Sequence, residues 1–113
     1  LETSVCSAQA KRFEQEAEAL GDDVVILTIS ADLPFTQKRW SEEMGVENTD
    51  LLSTHHDMKF SDDYGVHDVE WRMNQRSLFV LDKNNVIQYA EYMAVMGHDV
   101  NFDAALVKAR ELV

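Results

Sequence analysis

Seven consecutive residues, Val24-Val25-Ile26-Leu27-Thr28-Ile29-Ser30, carry no charge, and most of them are β-branched. An unbroken run of this kind reads as a strand covered on both faces, as in a parallel sheet flanked by helices. Its flanks agree. Before it, Ala8, Ala10, Phe13, Ala17 and Leu20 recur at helical spacing, with Lys11, Arg12, Glu14, Gln15, Glu16 and Glu18 filling most of the rest. The spacing predicts a helix from about Ser7 to Leu20, stopped by Gly21. After it, Asp32 or Leu33 followed by Pro34 marks a second helix start, because proline is pre-set for the first turn and lacks an amide that would be unpaired there anyway. That helix is expected to run from Pro34 to Met44 and to end at Gly45.

Further along, Leu51-Leu52-Ser53 reads as a short strand and Phe60 to Tyr64 as one helical turn closed by Gly65. Ser77-Leu78-Phe79-Val80-Leu81 and Val86 to Tyr92 flank the polar turn Asp82-Lys83-Asn84-Asn85, which predicts an antiparallel hairpin. A last helix is expected from about Phe102 to Leu112, with Ala105, Leu106, Ala109 and Leu112 on one side. The order of elements is that of an α/β fold with parallel and antiparallel pairings in one sheet. At 113 residues, with no repeat or linker, residues 1–113 read as a single domain.

Charge narrows the function classes. Ten Lys and Arg against 21 Asp and Glu give a formal charge of −11, which repels phosphate backbones and anionic lipid heads. No nucleic-acid or membrane partner is expected, and no apolar run reaches the ~20 residues of a membrane span. One cysteine, Cys6, cannot form an internal disulfide, so a cytoplasmic setting is expected.

Cys6 has two readings. It is either a small buried hydrophobe or a reactive thiol, because unpaired amides and the positive dipole end at a helix start both favour thiolate. Thr3, three residues earlier, can curl back and donate to the sulfur. Arg76, just before the strand Ser77 to Leu81, is either a solvated surface charge or a fixed cation at the sheet end that would lower the thiol pKa. His55-His56-Asp57 resembles metal chemistry, but adjacent histidines point to different sides and no third ligand has a fixed spacing to them. His67 and His98 stand alone, and any of the four could serve as a base beside Cys6. Met93 and Met96 read as core or interface, Asp22-Asp23 and Asp62-Asp63 as loop and cap carboxylates. No glycine-rich phosphate loop is present, and neither a metal nor another cofactor is expected.

Taken together, several stretches resemble the thiol peroxidases of the peroxiredoxin superfamily, in particular the atypical two-cysteine subfamily. Leu1-Glu2-Thr3-Ser4-Val5-Cys6 is similar to the active loop S-L-D-T-P-V-C, and the run from Thr28 to Trp40 to V-S-x-D-L-P-F-A-x-x-R-[FW]. The run from Ser53 to Phe60 with Tyr64-Gly65-Val66 resembles S-D-H-R-x-x-x-F…Y-G-V, and that from Arg76 to Asp82 resembles R-[AS]-x-F-V-[LI]-D.

The resemblance implies a thioredoxin-like mixed sheet flanked by helices, a homodimer, and a peroxidase that reduces hydrogen peroxide or alkyl hydroperoxides with thioredoxin or another thiol as reductant. It implies that Cys6 is the peroxidatic cysteine, oxidised to sulfenic acid, that Thr3 orients peroxide and thiolate, and that Arg76 activates the thiol and holds the peroxide oxygens. Ser41 stands where atypical two-cysteine members carry the resolving cysteine, so no intramolecular disulfide can form. The alternative this leaves is a redox-sensing or binding thioredoxin-like protein with little turnover. Ser4 replaces the loop proline, which implies a looser pocket. The family also has strands before this loop, a central one among them, and their absence implies a fragment of a longer domain or a strand supplied by another segment.

Overall fold

The computed structural model describes residues 1, 4–21, 23–92 and 101–112. Its elements in chain order are α1 (Ser4–Leu20), β1 (Leu27–Ser30), α2 (Pro34–Met44), β2 (Asp50–Ser53), α3 (Lys59–Asp63), β3 (His67–Asp68), β4 (Met73–Asn74), β5 (Ser77–Leu81), β6 (Ile87–Tyr92) and α4 (Phe102–Glu111). Among the described residues the strands form three two-stranded sheets rather than one. The pair β1–β2 is parallel, while β3–β4 and β5–β6 are antiparallel.

Two boundaries differ from the expectation by more than one residue. Helix α1 begins three residues before Ser7, at Ser4, so Cys6 lies inside its first turn. Strand β1 keeps only Leu27–Ser30 of the apolar run, in register Leu27↔Asp50 to Ser30↔Ser53. The ladder cannot extend further because Glu47 and Asn48, upstream of β2, give their amides to the Glu14 carboxylate instead. The run is also not covered on both faces, since Val25 and Leu27 are 71% and 52% exposed.

The remaining elements follow local chemistry. Pro34 opens α2, and Gly45 closes it at φ 68, the left-handed backbone in which a side chain is strained. Gln37, buried in α2, donates to the Ser30 hydroxyl and to the Leu52 carbonyl, both at 2.9 Å, which ties the helix to β1 and β2. In the turn of the β5–β6 hairpin, Asn85 takes φ 63, and the Asp82 carboxylate accepts the amides of Asn84 and Val86 at 2.8 and 3.0 Å. The two-residue pair β3–β4, which no sequence period announces, precedes β5.

Helix α1 is the centre of the packing. One side meets Trp40 and Val46 through Ala10, and the other puts Phe13 against Leu78, Ala105 and Phe102, with the Phe13 and Phe102 rings 5.4 Å apart. On the first side Lys11 Nζ donates to the Met44 carbonyl at 2.6 Å, which satisfies an orphan group at the C-terminus of α2. Glu14 caps the amides of the next loop, so Ser7, Ala10, Lys11 and Glu14 form one face of α1 turned toward α2. Among the described residues no helix is long and apolar enough to cross a membrane.

Candidate active site

Cys6 is the third residue of α1, where backbone amides have no intrahelical carbonyl to pair with. It is half-buried. The guanidinium of Arg76, seventy residues later in the chain, approaches it, with Nη2 donating to Cys6 Sγ at 3.6 Å. The amide field of the helix start and a fixed cation therefore act on the same sulfur, and both favour thiolate.

Arg76 is delivered by a short, well-tethered segment. The Gln75 amide donates to the carbonyl of buried Val66 at 2.7 Å, and Ser77 opens β5 opposite Tyr92. Two residues upstream, Asn74 accepts from the hydroxyl of fully buried Ser61 and donates to Thr54 Oγ1 at 3.3 Å. The backbone on either side of Arg76 is thus fixed before its side chain turns toward α1. Burial of Leu78 beside Phe13 and Ala105 holds β5 against the same helix that carries the thiol.

The other predicted positions separate. Thr3 lies outside the described residues, as do Asp22, Met93, Met96 and His98. Ser41 sits on α2 with its hydroxyl donating to the Lys38 carbonyl of its own helix at 2.9 Å. His55 meets Arg72, through its carbonyl and through Nδ1 at 3.3 Å, while His56 faces Asp57 and His67 lies 2.7 Å from Asp62. The partners of those three histidines are thus Arg72, Asp57 and Asp62. Among the described residues no three His, Cys, Asp or Glu side chains converge as metal ligands.

Around the thiol the structure adds residues that periodicity treats as ordinary. Ser7 binds Trp40 and Leu1, and Lys11 and Glu14, which sequence assigns to the polar face of α1, are contact residues whose partners are backbone groups of the α2–β2 region. The available signal is spacing: positions 7, 10, 11 and 14 lie on one helical face.

Residues 1–90 match the model of the AhpC/TSA family. The chain is 44% identical over 113 residues to a thiol peroxidase of Bacillus subtilis (strain 168), a match that covers all of this chain and 67% of that protein. With a thiol peroxidase of Streptococcus pneumoniae (strain ATCC BAA-255 / R6) it shares 42% identity over 112 residues, covering 99% of this chain and 68% of that one. Among solved structures, that of a peroxiredoxin-like protein from Aquifex aeolicus superposes with a TM-score of 0.83 at 28% identity, over 100% of this chain and 67% of that one. Enterococcus faecalis AhpC superposes with a TM-score of 0.85 at 21% identity, over 97% of this chain and 66% of that one, a likeness of fold.

Proposed function

The chain belongs to the AhpC/TSA family, the peroxiredoxins, with a thioredoxin-like α/β fold, and from that premise we propose that it reduces peroxides at Cys6, with Arg76 and Thr3 as its catalytic partners. It is a thiol-dependent peroxidase by kinship. The observation that carries the residue assignment is the 3.6 Å contact from Arg76 Nη2 to Cys6 Sγ at the start of a helix.

The Cys6 thiolate attacks one oxygen of the hydroperoxide. A sulfur–oxygen bond forms, the O–O bond breaks, and its electron pair leaves on the second oxygen as alkoxide or hydroxide, which takes up a proton. Sulfur is oxidised by two electrons, and the peroxide is reduced by two. Charge moves from sulfur to the leaving oxygen, so a donor already aimed at the sulfur strengthens its interaction as the O–O bond stretches. Arg76, with five N–H donors on a planar fork, can serve the sulfur and the peroxide oxygens together. The Thr3 hydroxyl orients the incoming peroxide, a role supported by its place in the active-loop motif.

The sulfenic acid must then be reduced. With serine at position 41, an external thiol condenses with the sulfenic acid to give a mixed disulfide and water, and a second thiol releases Cys6. Thioredoxin or a small thiol fills that place, residues 1–113 are part of one thioredoxin-like domain, and the working state is a cytoplasmic homodimer. The test is stopped-flow mixing of the reduced chain with cumene hydroperoxide. Thiol loss many-fold faster than for cysteine in solution is expected, and C6S should be inert. Loss no faster than for cysteine would overturn the reading.

A further inference from the structure

One residue beyond the nucleophile, a hydrogen-bonded chain remains to be explained. The Ser7 hydroxyl donates to the Leu1 carbonyl and accepts the indole Nε1–H of Trp40 at 3.2 Å. A hydroxyl has one proton and two lone pairs, so it can fill both roles at once. Trp40 is 3% exposed and packs with Ala10 and Val46, and Leu1 packs against the same cluster. A buried indole N–H left without an acceptor costs about 1–3 kcal/mol, so Trp40 has reason to keep Ser7. Ser7 therefore joins three pieces of chain: the residues before α1, the first turn of α1, and α2.

The first turn of a helix is its least secured part, because its amides lack intrahelical partners. Cys6 sits in that turn, and its sulfur must stay beside an arginine delivered from a different element. The other polar anchors on the same face, Lys11 and Glu14, lie one and two turns further along, where they hold the body of the helix. Slippage by one residue rotates a helix by ~100°, enough to carry a sulfur out of reach of a guanidinium at 3.6 Å.

We propose that Ser7, held by the Trp40 indole, is a positioning residue for the thiol: it fixes the first turn of α1 so that the Cys6 sulfur stays against Arg76. This rests on the reading of Cys6 as the nucleophile. With its hydroxyl engaged by Leu1 and Trp40, Ser7 acts through the placement of Cys6.

The test cuts the same bond from both ends. Alkylation of Cys6 by iodoacetamide is followed against pH for the unmodified chain and for S7A, S7T, W40F and S7A/W40F, alongside peroxide consumption and thermal melting. W40F keeps most of the ring bulk and removes the N–H, so it serves even where S7A folds poorly. S7A and W40F should each move the alkylation midpoint upward, with reactivity at neutral pH falling roughly 3–10-fold, since one pKa unit is tenfold in thiolate below the midpoint. The peroxide rate should fall in parallel. S7T should recover most of what S7A loses, and the double variant should be no worse than S7A alone, because W40F removes only a bond that S7A has already broken. Lower melting temperatures with an unchanged alkylation profile would overturn the proposal, as would simple addition of the two effects in the double variant. Failure of the peroxidase reading is seen elsewhere, in slow peroxide consumption by the unmodified chain, and leaves the alkylation comparison readable.

Discussion

At the scale of single residues, Arg76 carries two demands that different substitutions separate. It supplies a charge near Cys6 and a fork of N–H donors. R76K keeps the charge and loses the planar fork, whereas R76A loses both. Removal of one donor aimed at developing charge typically costs about 10²–10³ in rate, so R76A should lose that much in peroxide kcat/KM and R76K should fall between R76A and the unmodified chain. T3V should lose activity in the same direction, and T3S should recover it, because only the hydroxyl is needed. Rates from peroxide titration of each variant check the order; an R76A variant as fast as the parent would remove Arg76 from the site. Sequence reaches this pair only through motifs. Cys6 and Arg76 stand seventy positions apart; position at a strand start makes Arg76 one candidate cation for the thiol, and only resemblance to an ordered set of motifs selects that reading over a solvated charge. For Ser7, Lys11 and Glu14 the spacing gives a shared helical face but not the partners. Their partners are an indole and backbone groups of the α2–β2 region, and a backbone group leaves no mark in a residue pattern.

At the scale of elements, legibility follows how local the determinants are. Helix α2 starts at Pro34 and stops before Gly45 as read, and strand β5 spans Ser77–Leu81 as read, because proline, left-handed glycine and a polar four-residue turn act on their own neighbours. Strand β1 is shorter than its apolar run because a strand needs a partner, and the Glu14 carboxylate diverts that partner's upstream amides. The β5–β6 turn offers a pH test of such local control. Asp82 accepts the amides of Asn84 and Val86 and the side-chain amide of Gln88, and these bonds, the Val86 amide first, hold its carboxyl below the ordinary aspartate value of 3.8. A carboxyl whose folded pKa is lowered adds stability that is full above its unfolded pKa and is lost as pH falls through the folded one. D82A should therefore melt lower than the parent at neutral pH, and the gap should close as pH falls below 3.8. A gap that stayed constant into acid would assign the effect to something other than the ionised carboxylate.

For the whole molecule, the balance to be judged is between apolar surface and charge. Val25, Leu27, Phe35, Val69 and Trp71 are each more than half exposed, which favours association through apolar contact. Against this, every copy carries a formal charge of −11, so two copies repel each other at long range. The two terms respond oppositely to salt. Screening shortens the reach of the repulsion from ~30 Å at about 0.01 M to ~8 Å at about 0.15 M, while apolar contact is little affected over that range. A homodimer held by apolar contact should therefore tighten as salt rises between those concentrations, with the weight-average mass from sedimentation equilibrium moving toward twice that of the chain. A dimer held mainly by ion pairs would loosen over the same range, and that result would place the subunit contact on the charged surface rather than on the exposed apolar residues.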